Sequence, residues 1–422
     1  MKFENLPNFT LFITLSFALS CSHAPKEVPV VDMDNPTGYI NLKLSDLLDD
    51  ITIVPMETRD DLLFATVGGL STNAFTVTNN YILALTNERL LQFDRQGSYI
   101  RTLTFRGRGP NEFNQILSLR IDEKREIVYY NDFGIYGESV FCIDLKSGVF
   151  LEPVKPDLQY FSIREIDYEG NIYGFLSPIV RGVSATIGGS PVQEAQDSLV
   201  AYRYNAADKN TTIFKGYHAL TDKVGAIMFR QGDHILFHLL SYSDTLFKID
   251  RDKIVPQYVV KLKNQEDINT TVAKGGQSVY INFLLSGIFG TVIQKVELQV
   301  VTNENGAIMS INNRTTGYLF LDKKAELQTI RSVAIEPVAL TIGMEDYIQQ
   351  VNDRSGGIKI NPIPYVSGSW GYYAVEGYNM VYLINQALAG NQLSAAHRKI
   401  LEEVAARIDD DSNPVLIIGK VK

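Results

Sequence analysis

Gly107, Arg108, Gly109 and Glu112 fall within one short segment, GRGPNEF (107–113), which combines pliable backbone, a cation and a carboxylate. A phosphate loop needs a helix opening directly behind it, so that backbone amides and the helix dipole meet the anion. Here Pro110-Asn111-Glu112-Phe113 leads instead toward LSLRID (117–122), a strand pattern. The segment is therefore expected to be a corner. Its glycines take backbone angles closed to other residues, Pro110 stiffens the bend, and Glu112 accepts bonds from turn amides or pairs with Arg106 or Arg108. Should the corner line a channel mouth, Arg108 and Glu112 are its ligand-binding candidates.

Other chemistry-bearing residues are scattered. His234 and His238 have the spacing of two zinc ligands on a helix. DHILFHLLSYSD (233–244) is a strand pattern, however, and there that spacing separates side chains by about 13 Å. Asp132, Asp167, Asp244 and Glu376 each stand near the end of a strand candidate and could hold a channel calcium, although acidic residues after strands are mostly turn formers. SGSWGYYAVEGY (367–378) gathers the only Trp with three Tyr; Trp370, a third ligand-binding candidate, could stack on a sugar ring or fill a core. Cys142 in SVFCIDL is most simply a small buried hydrophobe. No nucleophile and base, paired catalytic carboxylates or cofactor motif stands out.

The elements that position these residues follow one grammar: an apolar or aromatic residue, Asp or Asn, a short polar turn, then an apolar strand. Phe93-Asp94 before Arg-Gln-Gly97, Ile143-Asp144 before Leu-Lys-Ser-Gly148, Tyr204-Asn205, Ile249-Asp250 and Leu321-Asp322 all obey it. The Asp or Asn side chain can bond turn amides, and a residue at positive φ closes the hairpin. The spacing of about 45 to 70 residues suits four-stranded blades. DITIVPMET (50–58), WGYYAV (370–375) and PVLIIGKV (414–421) supply strands for one further blade built from both ends, which closes a ring without an exposed sheet edge. The expected fold is all-β, a six-bladed β-propeller over residues 39–422 with a composite closing blade. LSAAHRKILEEVAARI (393–408) adds a C-terminal decorating helix capped by Ser394, with Ile400, Leu401, Val404 and Ile408 on one face. Residues 265–298 fit the grammar poorly and are expected to be an elaborated loop.

FDRQGSYI followed by RGRGPNEF resembles the signature of six-bladed β-propeller lipoproteins of gut-type Gram-negative bacteria, supported by VPMET, SDTLFKI and SNPVLIIGKVK. This chain has Asn111 and Thr104 where that family commonly has Gly. The resemblance implies architecture and location more than an activity.

Location has its own residues. Lys2, an apolar stretch from Thr10 to Leu19 and small residues before Cys21 make residues 1–20 a signal peptide. Ala18-Leu19-Ser20-Cys21 resembles a lipobox, in which the Cys21 thiol receives a diacylglycerol. Residues 21–38, polar and turn-rich, are then a lipid-anchored tether. SHAPKE after Cys21 lacks the acidic cluster that often marks surface export. A formal charge of −9 with 21% charged residues excludes the basic footprint of a nucleic-acid binder. The function expected is a non-catalytic binding or scaffold lipoprotein of the cell envelope, periplasmic side or outer membrane, for a glycan, a peptide or an envelope protein, with no cofactor. The rival is a calcium-dependent propeller enzyme of the lactonase or lyase kind.

Overall fold

The structure is a computed structural model. It describes residues 28–63, 74–132, 140–156, 161–167, 169–176, 186–187, 190–191, 198–214, 219–220, 226–231, 234–239, 245–263, 276–286, 290–304, 308–335, 340–343, 364–390 and 393–422.

Strands dominate. β1 (Val30–Asp32), β2 (Gly38–Lys43) and β3 (Leu48–Pro55) come first, with a one-turn helix α1 (Leu44–Leu47) before β3. β4 (Phe75–Val77), β5 (Tyr81–Leu85), β6 (Arg89–Asp94) and β7 (Tyr99–Phe105) form a four-stranded antiparallel sheet in chain order. β8 (Ile116–Asp122), β9 (Ile127–Asp132) and β10 (Phe141–Asp144) form a three-stranded one. Next come β11 (Phe161–Ile166) and β12 (Ile172–Leu176), a separate small hairpin of β13 (Thr186–Ile187) and β14 (Ser190–Pro191), then β15 (Ser198–Asn205), β16 (Asn210–Ile213) and β17 (Ala219–Leu220). Their sheet runs β11-β12-β15-β16, with β17 beside β15.

β18 (Ala226–Gln231), β19 (His234–Leu239), β20 (Thr245–Asp250) and β21 (Lys253–Lys261) make a sheet on whose outer edge β1 lies parallel. β22 (Gly276–Ser286), β23 (Gly290–Thr302), β24 (Ile308–Asp322) and β25 (Leu327–Ile335) repeat the plan, with β2 parallel on β25 and β26 (Leu340–Gly343) also on β25. β27 (Tyr365–Ser367) and β28 (Trp370–Val375) precede two helices, α2 (Gly377–Ala389) and α3 (Ala395–Ala405), and then β29 (Val415–Val421). β29 lies between β28 and β3, so strands from both ends of the described chain share one sheet.

The first strands lie side by side: β8 by β11, β11 by β18, β18 by β22, β22 by β27, with β28 meeting β4. An apolar cluster fills each space between consecutive sheets. Leu90 and Tyr130 belong to one, Tyr129 and Tyr202 to the next, then Phe175 with Phe237, Leu246 with Phe283, Tyr318 with Tyr373, and finally Phe93 with Tyr372. This is an all-β, propeller-like architecture with few helices. Five of its sheets carry four or more strands, and the three-stranded β8–β10 sheet lies between two of them.

The recurring turns hold as the grammar requires. Asp94 Oδ1 accepts from the amides of Gln96 and Ser98 (both 2.9 Å), Asn205 Oδ1 from Ala207, and Asp322 Oδ1 from Lys324 and Glu326. One residue of each turn has positive φ: Gly97, Gly148, Lys209, Arg251 and Ala325.

Four expectations are corrected. Residues 276–286 and 290–298, within the stretch taken as an elaborated loop, belong to the long strands β22 and β23, the second of which runs on to Thr302. Part of the stretch assigned to a tether is structured: β1 pairs with β21, and Val31 and Met33 are buried, because an open sheet edge offers backbone partners to a segment with little pattern of its own. The decorating helix has a companion, α2, whose Met380 and Ile384 join Leu401 and Val404 of α3 in one core. Ser394 does cap α3, accepting from the His397 amide at 3.1 Å, but Ile400 is 37% exposed rather than facing that core.

Candidate functional site

Three first strands carry charge where a buried strand would be apolar: Arg120 in β8, Arg164-Glu165 in β11 and Arg230 in β18. Glu123 follows β8 directly, and Gly368-Ser369 turn β27 into β28. The ring brings these together.

Arg230 Nη2 donates to Glu123 Oε2 at 2.6 Å, both side chains being almost wholly enclosed, and Arg230 Nη1 donates to the Ile166 carbonyl at 3.1 Å. Glu123 also accepts from the Ser369 amide (2.8 Å, Oε1) and hydroxyl (2.7 Å, Oε2). Residue 368 must be small and left-handed here: its φ is +57, and a Cβ would stand 2.6 Å from Glu123 Oε1. One ion pair thus clasps four sheets. Asn131 adds a neighbouring tie, accepting from Ser118 Oγ (3.2 Å) and from the Ile163 amide of the next sheet (3.0 Å).

Beside the clasp stand Arg120, Arg164 and Glu165. The β11–β12 register slips between Ile163 and Glu165, making Arg164 the extra residue of a β-bulge, a device that re-aims side chains. Arg120 donates through Nε to the Arg164 carbonyl and through Nη1 to the Leu119 carbonyl (2.7 Å). Arg164 Nε is sealed from solvent and has no hydrogen-bond partner among the described residues. Burial lowers the pKa of both guanidiniums, and the neighbouring charge of Arg120 lowers that of Arg164 further. Glu165 is pushed above the usual carboxylate range by burial, against the pull of Arg120 and Arg230. The set of Arg120, Arg164, Arg230, Glu123 and Glu165 therefore holds more cation than anion and is suited to bind negative charge.

The sequence candidates lie elsewhere. GRGPNEF is a corner: Gly107 N donates to the Phe113 carbonyl, Phe113 N to the Phe105 carbonyl, and Gly109 N to Glu112 Oε2 at 2.6 Å. Asn111, at φ +64, supplies the conformation for which Gly is the usual residue, and its carbonyl accepts from Thr104 Oγ1 at 2.6 Å. Arg108 is exposed. Trp370 is half-buried, with the Arg95 guanidinium 4.1 Å from its ring centroid and its Nε1 donating to Asn79 Oδ1 at 3.3 Å. Among the described residues, no hydrogen bond, ion pair or ring contact joins Arg108, Glu112 and Trp370 into one site.

Asp132 accepts from the Asn114 and Gln115 amides, while Asp167 accepts from the Glu169 and Asn171 amides and the Tyr173 hydroxyl. Glu376 precedes α2, and burial raises its pKa. His234 is exposed; His238, on the same strand, is buried against the ring of Phe283. Cys142 is buried, its thiol pushed up to about 11 by burial. Cys21 and Asp244 lie outside the described residues. No group of three or more His, Cys, Asp and Glu placed to hold a metal ion occurs among the described residues, and none of their helices is long and apolar enough to cross a membrane.

The sequence profile of a family described as a domain of unknown function, DUF4934, matches residues 26–420. No curated protein matches the chain. Among solved structures, a candidate exported protein of Bacteroides fragilis NCTC 9343 is similar in fold, with a TM-score of 0.54 at 12% identity over 91% of this chain and 100% of the other. A member of the DUF4221 family from Bacteroides vulgatus ATCC 8482 gives a TM-score of 0.43 at 10% identity, covering 89% and 97%.

Proposed function

We propose that this chain, which belongs to the family of unknown function DUF4934, is an exported, lipid-anchored envelope protein whose ring is a non-catalytic scaffold binding a glycan, a peptide or an envelope protein. In this reading the ring has six blades, the three-stranded β8–β10 sheet being the sixth; the apolar clusters on both of its faces support that count. Cys21 carries the lipid.

The observation that carries the binding role is the clasp of Glu123, Arg230 and Ser369. Polar side chains from three sheets, with the Ile166 carbonyl of a fourth, bond one another and fix the ring, leaving the outer loops free to vary around a rigid frame. A calcium enzyme would need carboxylates converging at the centre. Asp132 and Asp167 hold backbone amides instead, and the guanidiniums of Arg120, Arg164 and Arg230 repel a divalent cation.

Two measurements test this. Cys21→Ser should move the protein from the membrane to the soluble fraction with its melting temperature unchanged; retention in the membrane would defeat the anchor. Calcium and a chelator should leave the melting temperature where it was, and a calcium-dependent rise would restore the enzyme as the better account.

A further inference from the structure

We infer that the centre of the ring binds a small monoanionic carboxylate, seated against Arg120 and Arg164, an inference that rests on the reading of this chain as a binding propeller. Among the described residues the charges there do not balance. Arg230 is matched by Glu123 in a direct ion pair, Glu165 faces Arg120 and Arg230, and the neighbours that act on Arg164 are Arg120 and Tyr202, with no carboxylate among them. Arg120 sends its hydrogen bonds to two backbone carbonyls, which satisfy donors but carry no charge. Arg164 Nε has no acceptor among the described residues. Shielding part of a guanidinium from water without a counter-charge is unfavourable, and an unmade bond to a charged donor costs more than one to a neutral group.

The group that suits these residues is an anion, because the unpartnered donor is a guanidinium N–H. It is small and singly charged, because the excess over the paired residues is one guanidinium. Carboxylate geometry suits the planar fork that arginine presents. Access exists: both side chains are only half-buried, so solvent still reaches part of each while the Arg164 Nε is sealed. The β-bulge gives the site its own device, since a regular register would have carried residue 164 with its strand neighbours.

The test uses the full mature chain and sodium glucuronate as probe, with sodium chloride at equal ionic strength and inorganic phosphate as comparisons. Glucuronate should raise the melting temperature by about 2 °C or more at saturation. Arg164→Met should abolish that rise while leaving the ligand-free protein at least as stable, since it removes an unmatched buried charge. Arg164→Lys, which keeps the charge and loses the fork, should weaken binding tenfold or more by titration calorimetry. The proposal is overturned if glucuronate does no more than chloride, if phosphate stabilises more than glucuronate, or if Arg164→Lys binds as wild type does. Proton NMR of the same samples separates the two readings: a chemically altered probe would end the non-catalytic account while leaving the site in place.

Discussion

Arg101, on β7, places its guanidinium against the carbonyl of Ser147 in the turn of the adjacent sheet, and the space it occupies exists because residue 148 is glycine. Gly148 has φ +75, and a Cβ there would stand 2.5 Å from Arg101 Nη1. Arg125 meets the turn at Gly170 of the following sheet in the same way, and Arg203 reaches the Arg251 carbonyl (3.3 Å) and Asp252 (2.8 Å) of the one after. Sheet after sheet, an arginine grips the next hairpin.

Gly148→Ala should therefore cost about 1–2 kcal/mol from the backbone conformation alone, and more from the displaced guanidinium. In urea unfolding, Arg101→Ala should recover part of the loss when combined with Gly148→Ala, a coupling that additive single mutants would contradict.

Arg230→Ala leaves Glu123 buried with Ser369 as its remaining hydrogen-bond partner among the described residues. A loss of about 3–5 kcal/mol is expected. The double change Glu123→Gln with Arg230→Met should be markedly milder than Arg230→Ala alone, as read from the urea midpoint.

Asp144 predicts an acid limb. Its carboxyl is held below the usual range, first by the Ser147 hydroxyl (2.7 Å) and then by the Ser147 amide (2.6 Å). A lowered folded pKa means stability that is present above the unfolded value of 3.8 and lost as pH falls through the lower folded one. Because the turn is exposed, screening keeps the effect under about 1 kcal/mol. Asp144→Ala should thus be less stable than wild type at pH 7, with the difference shrinking as pH falls below 3.8.

Trp370 is the chain's single tryptophan, so its fluorescence reports one site. With Arg95 over the ring, its emission should shift to longer wavelength in Arg95→Ala, where water gains that face. An unshifted spectrum would mean that the guanidinium does not cover the indole in solution.

What could be read from the sequence was local. Asp94, Asp144, Asn205 and Asp322 announce their hairpins because the side chain that closes each turn sits inside it. The composite sheet was legible because ITIV, WGYYAV and VLIIGKV are unmistakable strands without neighbours of their own. α2 was missed because GYNMVYLINQALA begins directly after a strand, its N-cap Glu376 making no side-chain cap bond. β1 and β2 exist only because β21 and β25 offer them an edge. The central cluster lay hidden for a related reason: Glu123 bonds residues 107 and 246 positions away, and no spacing rule spans such distances. Arginines at 120, 164 and 230, each set among apolar neighbours in a strand, were the available signal.

The pairing of β3 with β29 also governs time. Asn413 reaches back to the carbonyl of Glu57 across 356 positions, so the first long strand of the ring waits for one of the last before its sheet exists. Contacts that distant in sequence form slowly, since a large loop must close before they contribute anything. The composite sheet, and with it closure of the ring, stays unformed until nearly all of the chain has been made. On the exported reading proposed above, such a delay would keep the closing sheet unlocked during passage through a secretion pore and postpone locking of the ring until the far side.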